Sequence, residues 1–144
     1  MTGLRGAWRL AALPALMTGG LLLVAACGGD DDADPRVGRI GGVSELATYA
    51  YTDAGAEGLY DYLSAHVTDV CTKEQVTAAL AAHEQPTGWQ QMKDVRFQGE
   101  DAATAKVILI YSSDRQEEEW TFVREGTVWR IDNVPGLESC ESAG

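Results

Sequence analysis

From Ser44 onward the apolar positions recur first with the period of a helix and then with the period of a strand. In "SELATYAYTDA", Leu46, Ala47, Ala50, Tyr51 and Ala54 fall on one stripe behind Ser44, which is placed to cap the helix. Gly55 interrupts that stripe. "AEGLYDYLSAHV" carries a second one, Leu59, Tyr60, Leu63 and Val67, with Gly58 weakening its start. The third helix is better marked: Thr72 and Gln75 make a T-x-x-Q capping box, and Val76, Ala79, Leu80 and His83 follow at i, i+3, i+4 and i+7. Pro86 stops it, so "HEQPTG" reads as a turn.

After Trp89 the period changes to alternation. "KDVRF" starts a strand that ends at "QGEDA". "TAKVILIYS" puts Ala105, Val107, Leu109 and Tyr111 on one face and Lys106, Ile108 and Ile110 on the other; apolar residues on both faces predict a central strand. "EEWTFVR" and "TVWRID" flank Glu125-Gly126, a tight hairpin turn. Trp120 and Phe122 share a face of the first arm, and Trp129 and Ile131 share a face of the second. Three helices followed by about four strands predict a segregated α+β domain, with the aromatic face of an antiparallel sheet turned to the helices. No second linker or internal repeat interrupts residues 43–136, which are read as one domain, with 137–144 as a C-terminal tail.

The N-terminal apolar run has a different meaning. Arg5 and Arg9 precede a largely apolar segment from Leu10 to Ala26, the layout of an export signal. A permanent span needs about 17 to 25 apolar residues, and Pro14 and the Gly19/Gly20 pair interrupt this short run, so residues 1–26 are read as a cleaved signal. The order Val24-Ala25-Ala26-Cys27 resembles the bacterial lipobox. It implies cleavage between Ala26 and Cys27 and attachment of lipid to the Cys27 thiol, where a second acyl chain turns reversible binding into stable anchoring. Residues 27–42, "CGGDDDADPRVGRIGG", are read as an acidic Gly/Asp-rich tether with too little apolar surface to fold. A phosphate cradle at Gly28/Gly29 lacks the following Lys-Ser/Thr, and the aspartates serve as spacer charge.

The 144-residue chain holds 11 Lys and Arg against 22 Asp and Glu. Loss of the signal removes Arg5 and Arg9 and no acid, so the formal net charge of −11 becomes −13. A field of that sign opposes nucleic acid and anionic lipid headgroups, so membrane association rests on the anchor. With Cys27 assigned to lipid, Cys71 and Cys140 are left as an even pair. They are two separate thiols or one bridge; the oxidising compartment of an exported protein favours the bridge, which ties the tail to the helices.

Around these elements the chain resembles a known group. "YDYLSAHVTDVCTKEQVTAAL", "VRFQGEDAATAKVILIY" and above all "EEEWTFVREGTVWRIDN" look like the small bacterial lipoproteins of the nuclear transport factor 2-like (SnoaL-like) superfamily, over roughly Val43 to Pro135. The resemblance implies a cone-shaped α+β fold, in which three helices pack on a curved antiparallel sheet of about four strands and leave a pocket at the open end. Some members of the superfamily dimerise through the sheet, so the resemblance leaves both a monomer and a homodimer open. The superfamily holds enzymes, binding modules and proteins of other roles, so it assigns no activity.

The residues add little chemistry of their own. His66, Cys71 and His83 are spaced five and twelve apart, unlike a compact metal motif, and Cys71 is committed if it is bridged. No cofactor motif is read. Asp53 and Asp61 belong to no catalytic pattern and are taken as solvated helix residues near the Gly55 turn. Glu117-Glu118-Glu119 is read as the charged start of an edge strand, and Asp132, Arg124 and Arg130 as surface charges. Trp89, Trp120 and Trp129, with Tyr49, Tyr51, Tyr60, Tyr62 and Tyr111, supply core, and some of them a pocket wall. The expectation is a membrane-anchored domain on the extracytoplasmic face of a bacterial envelope that binds a protein partner or a small apolar ligand without catalysis. Two alternatives stand beside it: an isomerase, dehydratase or cyclase with an acid–base residue in the pocket, and a purely structural accessory lipoprotein.

Overall fold

The computed structural model describes residues 33–141. Ala26 and Cys27, with the signal, the cleavage position and the first part of the tether, lie outside them. Helix α1 (Pro35–Ala54) begins inside the segment read as tether. Asp34 caps it by accepting from the Arg36 backbone N–H at 3.0 Å, and Pro35 stands in the first turn, where no backbone donor is needed. Ile40 is fully buried, so this first half of the helix has a core-facing side. Ser44 is therefore no cap: it sits buried in mid-helix and donates to the Gly41 carbonyl at 2.9 Å.

Gly55, at φ 68°, ends α1 and turns the chain into α2 (Ala56–Tyr60). At Gly58 a side chain is excluded, because a β-carbon would lie 2.2 Å from the Ala50 carbonyl oxygen. The two helices thus cross with backbone against backbone. The predicted second helix is two helices. Residues Tyr62 to Ser64 leave the helical path to pair with the last strand: Ile131 N–H donates to the Tyr62 carbonyl at 2.9 Å, and Ser64 N–H donates to the Ile131 carbonyl at 2.8 Å. Ser64 then caps α3 (Ala65–Val70) through the Val67 N–H. Helix α4 (Lys73–Ala81) carries the predicted capping box, with both Thr72–Gln75 bonds formed at 3.3 and 2.8 Å.

Four antiparallel strands follow, β1 (Gly88–Gln98), β2 (Ala102–Ile110), β3 (Arg115–Glu125) and β4 (Val128–Asn133), in the order β1-β2-β3-β4. β2 is central, as its two-faced pattern predicts. Ala103, Ala105, Val107 and Leu109 are buried on its inner face, with Trp120 and Phe122 of β3 and Trp129 and Ile131 of β4 beside them. Ile40, Ala47, Leu59, Val67, Val76 and Leu80 meet them from the helices. β3 is interior only over Thr121–Glu125, where β4 pairs with it; Glu117-Glu118-Glu119 is bonded to β2 alone and so starts the strand on an open edge, as read, with its members alternating between faces.

The cone-shaped curved sheet is not found. The sheet is open, neither curled nor closed, with β1 and β4 at opposite edges. Strands bend at bulges, and here the two central strands pair without a register shift from Ala102–Val123 to Ile110–Arg115. The irregularities fall only in the outer ladders, between Trp89 and Gln91, between Lys93 and Arg96, and between Thr121 and Phe122. The helix count differs as well: four helices precede the sheet, and a fifth, α5 (Glu138–Glu141), follows it in the segment read as tail. Leu137 is fully buried, and a disulfide joins Cys71 to Cys140 with their Cα atoms 6.1 Å apart.

Candidate functional site

Because β1 and β3 run opposite to β2 and β4, the domain has two distinct ends. One holds the Gly99–Asp101 and Gly126–Thr127 turns together with the start of α1. There Arg36 is held between the Asp34 carboxylate and the Gly99 carbonyl, to which its Nη1 donates at 3.0 Å, and its guanidinium lies 3.8 Å from the centre of the Phe97 ring. The other end holds the C-terminus of α1, the loop after α4 and the open ends of β2 and β3. Between helices and sheet at this second end lies a cleft of about 200 Å³.

Its floor is apolar, with Leu59, Leu80, Leu109 and Trp120. Its polar groups converge on Glu118. The Tyr111 hydroxyl donates to Glu118 Oε1, and the Trp120 indole Nε1 donates to Oε2 at 3.0 Å. Tyr111 and Trp120 are buried, and Glu118 is half-buried. Burial, then the bond to Glu118 and its negative charge, push the Tyr111 phenol far above the usual tyrosine range. The proton therefore stays on Tyr111. Tyr51, raised in the same direction by burial and then by Glu118, forms the wall towards α1. Glu84, His83 and Gln116 line the mouth, and Glu84 accepts from the Ser112 hydroxyl. A second hollow of about 400 Å³ on the helix side shares Tyr51, Leu80 and His83 with the first.

Sequence reading does not single out Glu118, although the signal is present. It has the parity of Trp120 and Phe122 on β3, and therefore of the core face, whereas Glu117 and Glu119 have the opposite parity. Glu117 points outward, where Lys93 and Lys106 hold it at 2.6 and 2.8 Å. Asp53 and Asp61 do not line the cleft: Asp53 is exposed, and Asp61 stands 4.0 Å from Lys73. Of the predicted pocket aromatics, Tyr51, Tyr111 and Trp120 are brought together here. Trp129 packs 6.2 Å from Phe97, and Tyr49 is half exposed on the outer side of α1.

A second polar group lies away from the cleft. Ser64 donates to Asp132 Oδ1 at 2.7 Å, and His66 Nδ1 is 3.3 Å from the same oxygen. Here the serine hydroxyl points to the carboxylate and not to the imidazole, and Ser64 is fully buried. The arrangement fastens α3 to β4 and activates no nucleophile. Among the described residues no three His, Cys, Asp or Glu side chains are gathered as metal ligands, and Cys71 is taken by the disulfide. No described helix is long and apolar enough to cross a membrane.

Compared with known proteins, the chain matches no family model and no curated protein.

Proposed function

We propose that the protein is a lipid-anchored, extracytoplasmic binding domain whose Glu118 cleft takes a small ligand. The observation that carries this reading is the cleft itself, an apolar hollow with one convergent cluster of polar groups, which is the common build of a small-molecule site. The reading is one of binding because Tyr111 and Trp120 hold Glu118 in place with one fixed donor on each oxygen, which positions its remaining acceptor sites towards the cleft's contents.

The anchor rests on the sequence around Cys27. Arg36 fastens the start of α1 to the Gly99 turn, while the cleft lies beyond Ile110 at the far end of β2, about 27 Å along the strand. The twenty residues of α1 cover a similar length, about 30 Å, from Pro35 at the turn end to Ala54 at the cleft end. The chain therefore enters the domain at Asp34, at the end remote from the cleft.

The test is a chemical-shift map of the full chain in detergent micelles, made against a small-molecule extract of the cell envelope. Expected are shifts at Tyr111, Gln116, Glu118 and Trp120, abolished by Gln116→Trp, which plugs the mouth from an exposed position. Shifts confined to the outer side of α1 around Leu46 and Tyr49, or none at all, would overturn the reading.

A further inference from the structure

We propose that the ligand of the Glu118 cleft is a small organic cation, an alkylammonium whose charge sits beside Glu118 and whose short carbon stem lies on Leu59, Leu109 and Trp120. The inference rests on the binding reading above and names its chemistry. Its basis is the charge that lines the cleft. The neighbouring acid Glu117 is matched by Lys93 and Lys106 on the outer face, and Asp101 by Arg124 at 2.6 Å. In the cleft the acids have no such partner. Glu118 and Glu84 both line it, no lysine or arginine does, and neither carboxylate forms an ion pair among the described residues.

Three physical consequences select the ligand class. An ionised carboxylate offers about four acceptor sites, and Tyr111 and Trp120 fill two, so Glu118 retains acceptor capacity for an ammonium. A neutral apolar ligand would strip water from that carboxylate and return nothing, and an anion would meet two carboxylates on a chain of net charge −11. An alkylammonium supplies the missing charge and, in Tyr51, Tyr111 and Trp120, finds aromatic side chains that attract cations. The volume of about 200 Å³ limits the stem to a few carbons.

The experiment follows the Trp120 indole N–H resonance in the full chain in detergent micelles, at constant ionic strength, during titration with n-butylammonium, n-butanol or butyrate. A saturable shift with n-butylammonium is expected, at least tenfold weaker in affinity in Glu118→Gln and less strongly weakened in Glu84→Gln. Should Glu118→Gln lose the dispersed spectrum of a folded protein, Glu84→Gln, at an exposed position, carries the comparison. If n-butanol or butyrate binds as tightly as n-butylammonium, or if neither substitution weakens the cation, the cation proposal fails while the cleft remains a binding site. If no probe moves the Trp120 resonance, both fail.

Discussion

The Tyr111 hydroxyl donates to the Glu118 carboxylate across the mouth of the helix–sheet cleft, joining the end of β2 to the inner face of β3. Because burial and this carboxylate raise the Tyr111 phenol, and burial and Glu118 raise Tyr51, both resist ionisation in the folded state. In the unfolded chain they ionise near pH 10, so above that pH the unfolded state binds fewer protons than the folded one. Stability conferred by the two phenols is therefore complete below about pH 10 and declines as pH rises further, by up to about 1.4 kcal/mol per pH unit for each. Absorbance titration of the five tyrosines should show two that ionise late, reduced to one in Tyr111→Phe. Five tyrosines titrating together near pH 10 while the fold persists would contradict this.

Removing the acceptor should cost more than removing a surface acid. Glu118→Ala leaves the Tyr111 hydroxyl and the Trp120 indole without their partner, and an unpaired buried donor costs about 1 to 3 kcal/mol. Glu119→Ala, at an exposed position on the same strand, should change stability by no more than about 0.5 kcal/mol. Urea unfolding of the two variants measures the difference.

Gly58→Ala tests the contact of α1 with α2. Its new methyl meets the Ala50 carbonyl oxygen, part of a helix backbone that cannot step aside. Overpacking against a rigid neighbour costs about 1 to 3 kcal/mol, which outweighs the gain of about 1 kcal/mol in helix propensity. A thermal unfolding midpoint below that of the wild type is expected; a rise would show that the two helices lie farther apart.

The Cys71–Cys140 disulfide ties the end of α3 to α5 across 69 residues of chain. Replacing both cysteines by alanine should lower stability by about 2 to 4 kcal/mol. The loss should be read by denaturant midpoint and reproduced by reduction of the wild type. An unchanged midpoint in both would mean that α5 is held by Leu137 and its neighbours alone.

Much of this fold is legible where local pattern and tertiary packing agree. The Thr72–Gln75 box, the inner face of β2 and the aromatic parity of the β3–β4 hairpin all read directly, because each is set by neighbours in sequence. The start of α1 does not. Gly38, Gly41 and Gly42 depress helix propensity over the segment, yet burial of Ile40 and the Arg36 contacts with Asp34, Phe97 and Gly99 outweigh it. The split between α2 and α3 is hidden for a similar reason: it is imposed by Ile131, nearly seventy residues downstream. β1 gives a weak signal because Asp94, at φ 52°, marks an irregularity that shifts its alternation. Glu118 is masked by Glu117 and Glu119, since a run of three acids reads as one charged patch until the strand divides it between two faces.

The most direct test of a tethered binding domain is native mass spectrometry of the protein extracted from its own membrane. The account predicts a chain beginning at Cys27, carrying thioether-linked diacylglycerol, two hydrogens lighter than its dithiol form, and holding a small basic molecule that is lost in Glu118→Gln. A mature chain without lipid, or one that retains no small molecule while keeping its fold and disulfide, would contradict it.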